Sequence, residues 1–212
     1  IVRVDEESTR ALDAEEERAF LDNLDIIIRE EKPDVVIFED YNKGLLTPNV
    51  IARAIELCSD AGIPTAVDPK KANFFSYKGV TLFKPNLKEL REGLKVEFDK
   101  KDQKSLRQAV DQLEAEIKNR ISLITLSEEG VYVKDGEDEN RIPAHIRNIS
   151  DVSGAGDTVI SVAALCLARN TDSAFLAALA NLAGGLVCER VGVVPIDRDQ
   201  LLKEAKLHLQ QL

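Results

Sequence analysis

Residues 34–69 read DVVIFEDYNKGLLTPNVIARAIELCSDAGIPTAVDP and predict a strand, a helix and a second strand in succession. Residues 34–38 are a short apolar run of the kind that forms a buried strand. Thr47 and Pro48 suit the N-cap and the first position of a helix that runs to Asp60. Because parallel strands are joined by such helical crossovers, this unit indicates a parallel sheet covered by helices.

The same alternation continues on both sides of this unit. A helix is predicted from Ala14 to Glu31, and Ile1–Asp5 alternates like the end of a strand. The later predicted elements are strand 80–83, helices 87–93 and 101–119, strands 121–126 and 131–134, a turn over 136–140, and helices 154–168, 171–189 and 198–212. We therefore expect one α/β domain that binds its ligand beyond the carboxyl ends of the strands.

Composition excludes several classes of function. The chain has 212 residues with 28 Lys and Arg against 38 Asp and Glu, a formal net charge of −10. This charge argues against binding of a nucleic-acid backbone, although backbone amides can still form a local anion site. No apolar run reaches the ~18–20 residues that span a bilayer, so we expect no membrane partner. The three cysteines form no C-x-x-C pair, and we expect buried free thiols and a cytoplasmic location.

Residues 151–158, DVSGAGDT, open the late apolar helix and carry the clearest chemical signal. The small residues Gly154, Ala155 and Gly156 leave backbone N–H groups uncovered, and a helix N-terminus adds partial positive charge. Together they suit negative charge that develops on a phosphoryl group in transfer. Asp157 stands beside them and is placed to accept a proton from an attacking hydroxyl. The structural alternative is a loop of small residues in which Asp157 caps the helix.

Residues 151–157 resemble the D-T-x-G-A-G-D signature of the ribokinase-like (PfkB) carbohydrate kinases, with Val152 in place of the usual Thr. The resemblance implies a three-layer α/β sandwich with a mostly parallel sheet covered by helices. It also implies that Asp157 is the catalytic base and that the amides of residues 154–156 form an anion hole. A monovalent cation such as K⁺ is implied close to Asp151, which we therefore take as a candidate metal ligand.

Residues 84–89, KPNLKE, follow a predicted strand and open a short helix. Asn86 as N-cap and Glu89 three residues later fit a capping box, which is a purely structural interpretation. The run also resembles the P-N-x-x-E motif of the same kinases. That resemblance implies that Asn86 and Glu89 hold hydrated Mg²⁺ and the phosphates of ATP. One carboxylate is chemically sufficient because Mg²⁺ keeps several of its waters.

Two further segments resemble the nucleotide-binding parts of these kinases. Residues 124–130, ITLSEEG, predict a strand, a tight turn and a second strand, and they resemble the T-x-G-x-x-G turn that lines the nucleotide. Residues 180–185, ANLAGG, place small side chains on one helix. A plain hairpin and close helix packing are the respective structural alternatives. The resemblance implies nucleotide contacts at Thr125, Ser127 (in place of the usual Gly) and Gly130, and at Asn181 and Gly185 beside the adenine.

Residues 39–44, EDYNKG, directly follow a buried strand, where open sheets bind ligands. They resemble the D-Y-x-K-G run of kinases that act on phosphorylated sugars. Together with residues 67–70, VDPK, they look most like the heptose-7-phosphate kinase domains of ADP-heptose synthesis proteins. The resemblance implies substrate contacts at Asp40 and Lys43, and Lys43 suits a phosphate as a point charge. Lys70 is a second, weaker candidate, and a solvated turn is the structural alternative.

These features predict an enzyme that phosphorylates a hydroxyl of a sugar or sugar phosphate, with heptose 7-phosphate as the first candidate and ATP and Mg²⁺ as cofactors. The resemblance implies that residues 1–212 are the C-terminal two-thirds of one kinase domain, without its first strands and its lid. A homodimer is a further expectation. The alternative is a non-catalytic nucleotide- or sugar-binding homologue, or an inactive fragment. An NAD-dependent oxidoreductase is disfavoured because no G-x-G-x-x-G follows the first strand.

Overall fold

A computed structural model of the chain describes residues 9–145 and 147–209. In this part of the chain the helices and strands are α1 (Ala14–Glu31), β1 (Val36–Glu39), α2 (Pro48–Asp60), β2 (Thr65–Asp68), β3 (Leu82–Phe83), α3 (Leu87–Leu94), α4 (Gln103–Ile117), β4 (Ile121–Thr125), β5 (Val131–Asp135), β6 (Asp138–Ile142), α5 (Ala155–Ala168), α6 (Ser173–Val187) and α7 (Arg198–His208). The strand predicted at Ile1–Asp5 and the predicted helical residues 210–212 lie outside the described residues.

The strands form one mixed sheet whose order follows the chain, from β1 to β6. β1 to β4 are parallel, while β4, β5 and β6 pair antiparallel. The predicted α/β class and the mostly parallel sheet are confirmed. The turn predicted over 136–140 is wrong after residue 137, because Asp138 already pairs with Asp135. Gly136 has a φ of +63°, which lets a two-residue loop close this hairpin.

Helices cover both faces of the sheet and produce two hydrophobic cores. One core packs Val67 and Phe83 against α2, α3 and α4, and the other packs Ala66 and Leu82 against α5 and α6. Because side chains alternate along a strand, neighbours such as Ala66 and Val67 serve opposite cores. The result is a three-layer α/β/α arrangement.

The local start signals were predicted correctly. Thr47 is the N-cap of α2, where its side-chain hydroxyl accepts a hydrogen bond from the Val50 N–H at 3.2 Å, and Pro48 takes the first helical position. The three cysteines are buried and free, as expected. Among the described residues no helix is both long and apolar enough to cross a membrane.

Strand β1 lies at one edge of the sheet, and β2 pairs with its inner side. In the described part of the chain no strand pairs with its outer side. The carboxyl ends of β1, β2 and β3 lie side by side, since these strands are parallel and in register. This end of the sheet also faces the start of α5.

Candidate active site

Three carboxylates meet beyond the carboxyl ends of the parallel strands. Glu39 ends β1, Asp68 ends β2, and Asp157 lies in the first turn of α5. One oxygen from each of these side chains lies within 4.8 Å of the other two. We call these three residues the carboxylate cluster. Asp157 is exposed, so the predicted base is accessible from solvent.

The pleat of the strands explains how the cluster forms. Ala66 and Leu82 point into the core beneath α5 and α6. Asp68 and Lys84 come two residues later in their segments, so they stay on that same face of the sheet. Glu39 is the register partner of Asp68 across the parallel β1–β2 pair. The first turn of α5 therefore lies over a row of charged residues.

The cluster contains one buried ion pair. The ammonium of Lys84 lies 3.0 Å from Oδ2 of Asp68, and the two side chains are only 3% and 9% exposed. Burial raises the pKa of Asp68, while the charge of Lys84 opposes that rise. Burial, followed by repulsion from Asp68 and Asp157, raises the pKa of Glu39 to about 7. The cluster thus concentrates negative charge around one buried cation.

The Gly-Ala-Gly turn provides the start of α5. Gly154 occupies the N-cap with a φ of +78°, a left-handed conformation that favours glycine, and no side chain among the described residues caps the helix. The alternative in which Asp157 caps the helix is therefore wrong. The N–H of Ala155 donates to the Val152 carbonyl at 3.2 Å. Of the amides predicted for an anion hole, that of Ala155 is thus already engaged within the loop.

Gly156 lies directly over the buried ion pair. A Cβ added to Gly156 would lie 3.6 Å from Oδ2 of Asp68 and 3.8 Å from Nζ of Lys84. These separations are ordinary contact distances, so no protein atom excludes a side chain here. The absence of a side chain instead leaves the first amides of α5 uncovered, which suits an approaching anion.

Asp151 organises the loop before α5. Its Oδ1 accepts hydrogen bonds from the backbone N–H and the hydroxyl of Ser153 at 3.0 and 2.8 Å, and its Oδ2 accepts one from the Gly192 N–H at 3.0 Å. These bonds hold the pKa of Asp151 below its usual value. The carboxylate therefore ties the loop to residue 192, and its role toward a cation stays a prediction.

Tyr41 follows β1 and reaches Asp157. Its half-exposed side chain brings the hydroxyl close to the Asp157 carboxylate. Burial, followed by the interaction with Asp157, raises the pKa of Tyr41 to about 12. The carboxylate of Asp157 is therefore within reach of a hydroxyl group, which is the geometry that a proton acceptor needs.

Asp40 differs from its prediction as a substrate contact. It is 2% exposed, and its carboxylate accepts hydrogen bonds from the Asn42 N–H at 2.7 Å, the Asn73 amide at 3.1 Å and the Tyr77 hydroxyl at 2.8 Å. These internal donors face both oxygens, so we assign Asp40 to support of the loop. Lys43, in the same loop, is exposed, and its contact with substrate stays a prediction.

Asn86 and Glu89 form the capping box that their spacing predicts. The Asn86 side chain accepts from the Glu89 N–H, and Oε2 of Glu89 accepts from the Asn86 N–H, both at 2.8 Å. Oε1 of Glu89 faces Nζ of Lys70 at 3.2 Å. Glu89 is thus fixed in orientation by the start of α3 and by one neighbouring cation.

The structure brings two predicted nucleotide segments together. Asn86 and Thr125 form an isolated parallel bridge, and the Thr125 N–H donates to the Pro85 carbonyl at 3.2 Å. A groove of about 440 Å³ beside them is lined in part by Asn86, Arg91 and Ser127. This adjacency is compatible with a ligand that contacts both segments.

The turn after β4 is a hairpin, as the structural alternative has it. Ser127 has a φ of +56°, a conformation that glycine adopts without strain. Gly130 has a φ of +88°, and a Cβ there would lie 2.1 Å from the Ile142 carbonyl oxygen. Only glycine at position 130 leaves room for the backbone at the end of β6. The nucleotide contacts of Thr125, Ser127 and Gly130 stay predictions.

The small residues of α6 serve packing. A Cβ at Gly184 would lie 2.7 Å from Cγ2 of Val159 on α5, so this glycine allows the two helices to approach. Asn181 donates its amide to the Pro143 carbonyl at 2.9 Å, and Gly185 faces the side chain of Arg147. These contacts join Asn181 and Gly185 to the segment after β6, and their place beside the adenine stays a prediction.

Four residues of this site were missed as functional candidates from the sequence: Glu39, Tyr41, Asp68 and Lys84. The signal that could have found Asp68 and Lys84 is a charged residue followed by proline at the end of a strand, two positions after an apolar core residue.

Sequence comparisons show what the chain is similar to. The profile described as pfkB family carbohydrate kinase matches residues 9–199. The bifunctional protein HldE of Desulfatibacillum aliphaticivorans is 38% identical over 202 residues, which are 95% of this chain and 40% of that protein. HldE of Sulfurimonas denitrificans is 36% identical over 210 residues, 98% of this chain and 43% of that protein. The chain spans less than half the length of these relatives.

Structural comparisons agree. Phosphofructokinase-2 from Escherichia coli in complex with potassium has a TM-score of 0.79 at 19% identity, covering 91% of this chain and 62% of that one. Arabidopsis thaliana ribokinase complexed with ribose and ATP has a TM-score of 0.70 at 19% identity, covering 86% of this chain and 58% of that one. The expected ribokinase-like sandwich is confirmed.

Proposed function

Because the chain belongs to the pfkB family of carbohydrate kinases, we propose that it transfers the γ-phosphoryl group of ATP to a hydroxyl of a sugar or sugar phosphate. The observation that carries the proposal is the exposed Asp157 beside the start of α5, where no side chain of the described residues caps the helix. This transfer requires a proton acceptor next to groups that bind the negative charge of the phosphoryl group.

Asp157 accepts the proton of the attacking hydroxyl. Its carboxylate already lies close to the Tyr41 hydroxyl, and a substrate hydroxyl takes a similar position. The first turn of α5 stabilises the charge on the transferring group through its uncovered amides and the helix dipole. Gly156 keeps this approach open, since its missing side chain leaves ordinary contact space above Asp68 and Lys84.

The residues present fit a hydrated divalent cation and nucleotide phosphates. The Glu89 carboxylate is partly exposed and is oriented by Asn86, so its oxygens can still accept hydrogen bonds from metal-bound water. When bound, Mg²⁺ supplies charge neutralisation to the phosphates. Asn86, Thr125, Ser127 and Gly130 lie along the adjoining groove or turn and hold the nucleotide, while Asn181 and Gly185 contact its base. A monovalent cation near Asp151 is supported by the potassium named for the Escherichia coli phosphofructokinase-2 structure.

Heptose 7-phosphate is the substrate that we favour. The support is the similarity to proteins named HldE and the exposed Lys43 in the loop after β1, whose charge suits a sugar phosphate. Since the chain covers 62% of the phosphofructokinase-2 chain, we assign the rest of the sugar pocket and the lid to other residues of a full-length kinase. A homodimer formed through that lid belongs to the same proposal.

The experiment compares Asp157→Asn with the parent in the full-length protein. We expect kcat for phosphorylation of heptose 7-phosphate to fall by about 10²–10⁴-fold, because general base catalysis contributes that much. Calorimetry should show unchanged binding of ATP and Mg²⁺. Asp25→Asn, at a partly exposed carboxylate of α1 that pairs with Arg29, is the control and should keep full activity. Retained turnover in Asp157→Asn contradicts the base, and binding without turnover in the parent favours the non-catalytic alternative.

A further inference from the structure

We propose that Lys84 is a positioning residue of this site, whose buried ammonium is the fixed countercharge of the carboxylate cluster and holds Asp68 beneath the Gly156 turn. The effect of Lys84 on catalysis rests on the proposed function, whereas its pairing with the carboxylates does not. Lys84 is too deeply buried to bind substrate directly, so it acts through the carboxylates.

The position of Lys84 is fixed from three sides. Its backbone N–H donates to the Val67 carbonyl at 2.9 Å, which extends the β2–β3 pairing by one residue. Its ammonium lies 3.0 Å from Asp68, and its side chain is 3% exposed. Gly156 covers the ammonium from above, since a Cβ added to this residue would lie 3.8 Å from Nζ. Lys84 therefore lies between the sheet and the first turn of α5.

Charged and titratable groups reach the cluster from every neighbouring element. They are Glu39 and Tyr41 from β1 and its loop, Asp68 and Lys70 from β2 and its loop, Lys84 after β3, Glu89 on α3 and Asp157 on α5. Lys70 is 43% exposed and pairs with Glu89, so solvent and that carboxylate offset much of its charge. Lys84 is shielded from water, so its charge attracts the carboxylates of the cluster more strongly than the charge of Lys70 does.

Removal of Lys84 has a defined electrostatic consequence. Burial and mutual repulsion favour protonation of the cluster, and the pKa of Glu39 is already about 7 with Lys84 in place. Without the ammonium, the partly exposed Lys70 is left to oppose the repulsion between the carboxylates, so Glu39 and Asp68 bind protons at higher pH. A cluster that holds an extra proton near neutral pH is a weaker acceptor for the proton of a substrate hydroxyl, so turnover at that pH falls. Removal of Asp68 together with Lys84 leaves no buried charge unpaired.

Lys134 provides a matched control. Its side chain is 8% exposed, and its ammonium pairs with Asp111 at 3.0 Å and with Glu114 on the other side of the sheet. Lys134→Met thus also removes a buried, paired lysine. The two lysines differ in whether they face the carboxylate cluster.

The test follows the side-chain carboxyl carbons of Glu39 and Asp157 by NMR titration in the full-length protein without substrate. We expect Lys84→Met to raise the titration midpoint of Glu39 by about one pH unit, and Lys134→Met to leave it unchanged. If Lys84→Met fails to fold, Asp68→Asn is compared with Asp68→Asn/Lys84→Met. The double variant should then titrate at higher pH than Asp68→Asn. Equal midpoints in folded proteins overturn the proposal.

Kinase assays separate this proposal from the proposed function. In an active protein, the acid limb of the kcat profile should move to higher pH in Lys84→Met and not in Lys134→Met. Shifted carboxylate titrations without turnover of any sugar phosphate refute the kinase and leave the countercharge standing. Turnover with unshifted titrations refutes the countercharge and leaves the kinase standing.

Discussion

Asn86 and Glu89 each donate a backbone N–H to the other's side chain, so the same two residues start α3 and orient a carboxylate at the edge of the site. A structural capping box and a metal-binding motif are therefore not competing interpretations here. The cap fixes the rotamer of Glu89, and a fixed carboxylate binds a hydrated cation at lower entropic cost.

Glu89→Gln should separate these two roles. The amide oxygen still accepts the Asn86 N–H, so we expect the free energy of unfolding to change by less than about 1 kcal/mol. The negative charge is lost, so affinity for ATP with Mg²⁺ should fall, while affinity for ATP alone should not. Calorimetry with and without Mg²⁺ measures this, and equal affinities in both proteins would remove Glu89 from the metal site.

Gly154→Ala should lower the stability of the fold, whereas Gly156→Ala should lower kcat without lowering stability. Ala at 154 must adopt a φ of +78° and approach Cγ1 of Val193 at 3.2 Å, so it should cost about 1–2 kcal/mol of stability. Ala at 156 meets no atom closer than 3.6 Å and improves helix propensity, so stability should hold or rise. Its methyl group covers the anion receptor, and kcat should fall sharply. Urea unfolding combined with kinetics distinguishes the two, and an active, stable Gly156→Ala speaks against the receptor.

Glu39→Gln should change how stability depends on pH. The pKa of Glu39 is about 7 in the folded chain and close to 4.3 when unfolded. Between these values the folded state holds a proton that the unfolded state has released, so stability falls as pH rises toward 7 and stays lower above it. Gln carries no such penalty. The Tm of Glu39→Gln should exceed that of the parent at about pH 8 and match it at about pH 4, and a pH-independent difference contradicts this origin.

Asp40→Asn should destabilise the fold. The carboxylate accepts from three donors in a buried position, and an amide group offers an N–H to at least one of them. Leaving a buried donor unpaired costs about 1–3 kcal/mol. Tyr77→Phe removes only one donor and should cost less. Chemical denaturation measures both variants, and an Asp40→Asn protein of parental stability would return this carboxylate to the list of substrate contacts.

The elements that follow from local chemistry were predictable. Thr47 with Pro48, and Asn86 with Glu89, are start signals that act within one helical turn, so the sequence alone locates α2 and α3. The Gly-Ala-Gly turn was recognised for the same reason. Backbone conformation and hydrogen bonding within such a segment depend little on the rest of the chain.

The carboxylate cluster was not predictable in the same way. Sequence motifs drew attention to Asp40, but the pleat turns Asp40 toward Tyr77 and places its neighbour Glu39 against Asp68. Which of two adjacent acids faces the site depends on which face of β1 meets α5. The pairing of Lys84 with Asp68 depends on strand order and register, which arise only when the sheet assembles.

The carboxylate cluster draws its members from segments far apart along the chain. Bringing together residues so far apart in sequence has a large loop-closure entropy cost. The cluster is complete only once helix α5 has docked on β1 and β2, which come much earlier in the sequence. A piece that lacks β1, β2 or α5 cannot assemble the cluster. Loss of phosphoryl transfer on heating should therefore coincide with cooperative unfolding of the whole domain. Kinase activity would then report the fraction of folded protein.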